Sequence, residues 1–144
     1  MSLSGPAAPA PDDGAAVTAT IVGAVDEIDA ATWDKISNPN AETFNPFLAH
    51  AFFKALEESG SVGEGTGWYP RHLVITDKDG TAGFMPLYLK THSQGEYVFD
   101  HSWAEAYQRA GGRYYPKLLC AVPFTPVPGP RLIVRPDDRD RNFE

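Results

Sequence analysis

The sequence predicts an α/β chain of the α+β kind in one domain, and three observations carry that prediction. Strand-like and helix-period segments follow one another in the order β, α, α, β, β, β, α, β, β. A DKDG turn between two strand-like runs is a hairpin signal. The 144 residues, 42% hydrophobic and 22% charged, have the composition of an ordinary globular domain. A chain of this length buries on the order of two thirds of the surface its unfolded form exposes.

The opening MSLSGPAAPAPDDGAA is rich in Ala, Pro and Gly and cannot bury enough surface to offset the entropy of ordering. It is expected to be a flexible leader up to about Val17, which leaves 18–144 as the domain. The leader lacks the basic and apolar regions of a secretory signal, and no apolar run is long enough to span a bilayer, so a cytoplasmic location is expected. The single Cys120 lies within LLCAV and is expected to be a buried, unreactive thiol, which fits a reducing compartment. A net charge of -7 without a cluster of Lys and Arg gives no footprint for duplex nucleic acid or an anionic membrane surface.

Taken in order, residues 19–25 are β-branched and read as a strand, after which Asp29 caps a brief helix through Trp33 and Ile36. Asn45 and Pro46 open a second helix with an apolar stripe of Phe47, Leu48, Ala51, Phe52, Ala55 and Leu56. His50, Lys54 and Glu57 then fall on its solvated side. SVGEGTG is a loop, because its glycines do not join a strand to a helix as a phosphate-binding fingerprint requires. Residues 72–76 and 81–91 form the hairpin, with Asp79 and Gly80 at positive φ.

Residues 96–100 alternate as a further strand, and Ser102 with Glu105 forms a capping box that opens a helix at Trp103. The stripe of that helix, Trp103, Ala106, Tyr107 and Ala110, is helix-spaced as a core face would be, and Gly111 suits the left-handed position after it. Residues 118–122 read as a strand buried on both faces, and 131–134 as a last short strand. The charged tail ends with nothing to cover that strand, so the chain reads as part of a longer protein.

Chemistry is concentrated between Pro86 and Pro130, where Tyr97, Phe99, Trp103, Tyr107, Tyr114, Tyr115 and Phe124 are interleaved with Lys90, Glu96, Asp100 and Lys117. Rings supply rigid amphipathic walls and ionisable groups supply orientation and proton traffic. On an extended strand Glu96 and Asp100 would stand roughly 13 Å apart, beyond the roughly 5–9.5 Å of a glycosidase pair. His92, Glu96 and His101 match no metal-ligand spacing, so no metal is expected. Two readings fit the rest. In one, the rings hold an acyl, peptide or sugar group, Lys117 meets an anion and a carboxylate takes a proton from an amine. In the other, the tyrosines pack at a rim and the charges are solvated.

Two blocks, NPFLAHAFFKALEESGSVG and PLYLKTHSQGEYVFDHSWAEAYQRAGGRYYPKLLCAVPFTPVPGPRL, closely resemble the FemAB-like branch of the GNAT-fold acyltransferases, bacterial proteins of peptidoglycan biosynthesis or recognition. The resemblance implies a GNAT-like mixed, largely antiparallel sheet flanked by helices, of which this chain is the N-terminal portion. It implies an N-acyltransferase moving an acyl or aminoacyl group to an amine in a small-molecule or peptide acceptor, with acyl-CoA or aminoacyl-tRNA as donor and the remaining C-terminal half as partner. The Gly-rich pyrophosphate loop of GNAT enzymes is not visible in this sequence, so the fragment alone is expected to be inactive. Carried over by motif, the site residues are Glu96 and Asp100 as catalytic groups. Tyr97, Trp103, Tyr114, Tyr115, Lys117, Phe124 and Thr125 are carried over as substrate-binding groups. A non-catalytic module recognising peptidoglycan or peptide is the alternative.

Overall fold

The computed structural model describes residues 16–138. The leader expected over 1–17 falls almost wholly outside the described residues, as does the tail beyond 138. Among the described residues, helices α1 (Ala30–Ser37), α2 (His50–Glu58) and α3 (His101–Arg109) accompany seven strands. These are β1 (Thr18–Val22), β2 (Trp68–Pro70), β3 (His72–Asp77), β4 (Gly80–Met85), β5 (Leu87–Lys90), β6 (Lys117–Cys120) and β7 (Ile133–Val134). They form two open antiparallel sheets, ordered β1-β3-β4-β7 and β2-β5-β6. The fold is mixed α+β, and sheets of this kind with flanking helices are consistent with a GNAT-like architecture.

The two sheets share one long hairpin that is interrupted at its middle. Pro70 faces Tyr88 in the second sheet and Leu73 faces Met85 in the first, which is a single register on both sides of the interruption. Between them the Arg71 amide donates to the Leu87 carbonyl at 2.8 Å. Pro86 has no N–H to give to a ladder, so the strand expected over 81–91 is two strands in two sheets. Of the DKDG turn only Gly80 takes a positive φ, 103°. Asp79 instead donates its amide to the Asp77 carboxylate at 2.8 Å, which fixes the turn without left-handed backbone at that residue.

The core lies where α1 and α2 meet the hairpin. Trp33 is fully buried, stacks on Phe84 at 3.9 Å between centroids and donates its indole N–H to the Leu48 carbonyl at 2.8 Å. Asp29 caps α1 as expected, accepting from the Thr32 amide at 2.8 Å. The second helix departs from expectation. Asn45 and Pro46 do start a turn, but it is a 3-10 turn, Pro46–Leu48, that stops at the extended Ala49. Helix α2 restarts at His50, which resets its phase.

That reset turns the helix about its axis, so Phe53 is buried while Ala51 and Ala55 are exposed. His50, placed by the sequence on the solvated side, is buried, and its Nε2–H donates to the Val25 carbonyl at 3.1 Å. Glu57 also turns inward, accepting from the Val25 amide at 3.0 Å and contacting His72 Nε2 at 3.1 Å.

Three further expectations are corrected. Helix α3 begins at His101 with Asp100 before it and has no side-chain cap, so the Ser102–Glu105 box does not form. None of its residues is buried, and Trp103 is 75% exposed, because nothing among the described residues covers that face. Strand β6 is not buried on both faces: it pairs only with β5 at the edge of its sheet, and Leu118 is 61% exposed.

Trp33 combines a full ring burial with a buried hydrogen bond, so Trp33→Ala is expected to lower unfolding free energy by about 3–5 kcal/mol. Trp103→Ala should stay within about 0.5 kcal/mol of the parent. Urea unfolding of both variants checks the pair, and equal losses would contradict the assignment of core and surface.

Candidate functional site

Lys90 and Lys117 are direct cross-strand partners on β5 and β6, so both side chains leave the same face of the second sheet. Two like charges at opposed positions repel unless something separates or neutralises them. The segment 91–100 does this by folding over them. It is not the strand that alternation predicted, because Gly95 turns it at φ 78°. A Cβ at Gly95 would also lie 2.8 Å from the Phe124 ring and 2.9 Å from Trp68 Nε1, so the glycine meets both a conformational and a steric demand.

The turn brings Glu96 and Asp100 to the same ammonium. Lys117 Nζ donates to Glu96 Oε2 at 3.0 Å and to Asp100 Oδ2 at 2.6 Å, and the Tyr114 hydroxyl donates to that Asp100 oxygen as well. The two carboxylates therefore cannot be farther apart than those two contacts laid end to end, which overturns the separation of roughly 13 Å expected of an extended strand. Lys117 does not stand free to meet an anion, as the sequence reading had it.

Each carboxylate keeps one oxygen in reserve. Glu96 Oε1, Asp100 Oδ1 and the Tyr115 hydroxyl are buried and have no hydrogen-bond partner among the described residues. Leaving buried acceptors unmade is costly, about 1–3 kcal/mol for each group and more for charged ones. Such atoms mark a place where a donor is missing. Glu96 is 7% exposed, so the bulk of that cost falls on a group already withdrawn from water.

The electrostatics follow from these contacts. For Asp100, burial favours the neutral acid, but the bonds from Lys117 and Tyr114 outweigh it and hold the carboxyl below the usual range. For Lys117, burial favours the neutral amine, and the bonds to Asp100 and Glu96 reverse that and raise its pKa. Burial raises the Tyr115 phenol, with the Glu96 charge adding to it. Lys90 is different: it is fully buried, donates to the Gln94 carbonyl at 2.9 Å and sits 3.9 Å over the Trp68 ring. Burial pulls its pKa from 10.5 to about 8, although Glu96 pushes the other way.

A cleft of about 340 Å³ opens beside this cluster. Of the residues singled out from sequence, Glu96, Asp100, Lys117, Tyr97 and Thr125 line it. Tyr114 and Tyr115 stand behind the ion pairs, with Lys117 Nζ 5.0 and 5.2 Å from their ring centroids. Phe124 packs on Trp68 at 5.2 Å from a left-handed φ of 61°, a conformation bulky residues rarely adopt. Trp103 stands apart on the exposed side of α3 and is not in the cleft wall.

From sequence, Lys90 is named in the aromatic and charged stretch without a role, and Arg131 is given none. Lys90 carries a signal in hindsight, since a lysine in the apolar alternation PLYLK falls on the same face as the buried Tyr88. Arg131 lines the cleft from the far side of the 123–130 turn, where no local pattern announces it. Cys120 also lines the wall, and burial raises its thiol pKa, in keeping with an unreactive role. Because Asp100 is held ionised, it has no proton to give and is unsuited to the part of a general acid.

The shifted Lys90 has a sign that can be read out. Its folded pKa lies below its unfolded value, so between about pH 8 and 10 the unfolded chain binds more protons and stability gains with pH from this group. In Lys90→Met that gain should vanish, and the stability difference between variant and parent should shift in the parent's favour as pH rises through this window. Urea midpoints across the window test it, and parallel profiles would contradict a strained ammonium at this position.

No helix among the described residues is long and apolar enough to cross a membrane. No curated protein and no solved structure matches the chain. The profile of the FemAB-like family, described as peptidoglycan biosynthesis/recognition, matches residues 24–144 and so takes in the whole cleft and the core beneath it. On that match the chain belongs to the FemAB-like family of peptidoglycan biosynthesis and recognition proteins.

Proposed function

We propose that the cleft holds the amine of a peptidoglycan-type peptide as the acceptor for an acyl or aminoacyl group. The observation that carries this reading is the pair of buried, unpartnered carboxylate oxygens on Glu96 and Asp100. An ammonium or amine offers several N–H donors at once and suits two converging anionic acceptors. Lys117 keeps the two carboxylates together without using up their second oxygens.

In the transfer step the amine nitrogen attacks the donor's carbonyl carbon and a C–N bond forms. The bond to the leaving group, the thiolate of an acyl-CoA or the ribose hydroxyl of an aminoacyl-tRNA, then breaks. A cleft carboxylate first takes one proton from the bound ammonium to free the nitrogen lone pair, and the second proton, released as the C–N bond forms, passes to the leaving sulfur or ribose oxygen. Asp100 is a poor base because Lys117 and Tyr114 already stabilise its charge. Glu96, which carries a single hydrogen bond from Lys117, takes the ammonium's proton, and Asp100 holds the resulting amine by a remaining N–H. A second reading, recognition of the peptide without transfer, is favoured by the same low basicity of Asp100.

The two readings separate on turnover. With the chain assayed together with the C-terminal half that the family resemblance implies, and with acetyl-CoA or alanyl-tRNA as donor and alanyl-alanine as acceptor, mass spectrometry should detect the N-acylated peptide, and Glu96→Gln should slow its formation by about a hundredfold or more. Binding of alanyl-alanine with no product from either donor would replace transfer by recognition. Product formed at the parent rate by both Glu96→Gln and Asp100→Asn would remove the carboxylates from the reaction.

A further inference from the structure

The wall of the cleft carries groups of opposite character. Glu96 and Asp100 line it, each with one buried oxygen that has no donor among the described residues. Arg131 lines the same cleft, its guanidinium fixed by donating Nη2–H to the Val127 carbonyl at 2.7 Å and Nη1–H to the Gly129 carbonyl at 3.1 Å. No carboxylate pairs with Arg131 among the described residues, in contrast to Lys54, Lys78, Lys117 and Arg135, each of which has an acidic partner. Its fork is held by main-chain carbonyls and keeps donors to spare, since a guanidinium carries five N–H groups.

The same wall has an apolar part, with Leu119, Ala121, Val122 and Pro126. The space of about 340 Å³ lies at the small end of the roughly 300–1,000 Å³ of small-molecule sites. It admits one or two residues of a peptide and not a whole coenzyme or a glycan chain.

We infer that the ligand is zwitterionic: a free amine sits at Glu96 and Asp100, a free carboxylate is read by Arg131, and small aliphatic side chains lie on the wall between them. Arg131 is thus a specificity-determining residue that selects a peptide bearing its own carboxylate over the amidated or extended form. Planar, bidentate recognition of carboxylate is what a guanidinium does better than an ammonium. This inference rests on the amine-binding reading above and adds the second contact point.

The test uses the whole chain and three probes that differ at one end each: alanyl-alanine, its C-terminal amide and its N-acetyl form. Binding is followed by amide chemical-shift changes on titration. The amide and the N-acetyl form are each expected to bind about tenfold or more weakly than the parent peptide, the loss of one charge-assisted contact. Arg131→Gln should abolish the preference for the free carboxylate while keeping the preference for the free amine. Arg131→Lys, which keeps the charge, should retain part of the carboxylate preference, as a purely structural role would not.

The amide binding as tightly as the acid, or Arg131→Gln leaving the carboxylate preference intact, overturns the inference about Arg131 and leaves the amine reading standing. Equal binding of the N-acetyl form overturns the amine reading instead. Failure of all three probes to bind overturns both.

Discussion

One ammonium between two carboxylates holds the cleft-bearing part of this protein together. Helix α3 buries no residue of its own, so it cannot be attached to the domain by the apolar packing that fixes α1 and α2. Its N-terminal neighbour, Asp100, is instead fixed by Lys117 and Tyr114, and the segment leading to it is fixed by Glu96 on the same lysine. The C-terminal end is closed by the turn at Gly111 and Gly112, where Tyr107 meets Tyr114 edge-on at 6.2 Å. Lys117 therefore tethers an irregular loop and a surface helix to the edge of a sheet.

That tether explains a local oddity. Aspartate before a helix ordinarily turns its carboxylate back to cap the first amides, yet Asp100 makes no such bond. Its charge is spent on Lys117, and the helix end gives up the stabilisation a cap would add. A second concession lies in Phe124, whose left-handed backbone costs about 1–3 kcal/mol while its ring closes over Trp68 and Gly95. A third is Lys90, buried beneath the same loop with only one carbonyl and one ring for company. Local compromises gathered around one cleft, with buried acceptors left open in its wall, are what a site preorganised for a ligand looks like.

The α+β class, α1 with its Asp29 cap, the hairpin turn and the aromatic and charged richness of 86–130 were all legible in the sequence, because each rests on local chemistry. What was not legible depended on contacts distant in the chain. The phase of α2 was lost because a 3-10 turn at Pro46–Leu48 precedes it, and residue spacing alone does not distinguish that turn from a helical one. The carboxylates were placed too far apart because alternation at 96–100 looked like a strand. The turn at Gly95 and the pull of Lys117, 17 and 21 residues downstream of the carboxylates it binds, decided otherwise. Arg131 could not be found by pattern, since only folding brings it to the same cleft.

The central claim is that Lys117 couples energetically to the carboxylates it bridges, and a double-mutant cycle measures that coupling directly. Lys117→Met, Asp100→Asn and the double variant, unfolded in urea beside the parent, should give an interaction of about 1 kcal/mol or more, within the range found for residues sharing one network. Additive losses, with no interaction between the two positions, would contradict the tether and with it the cleft that it organises.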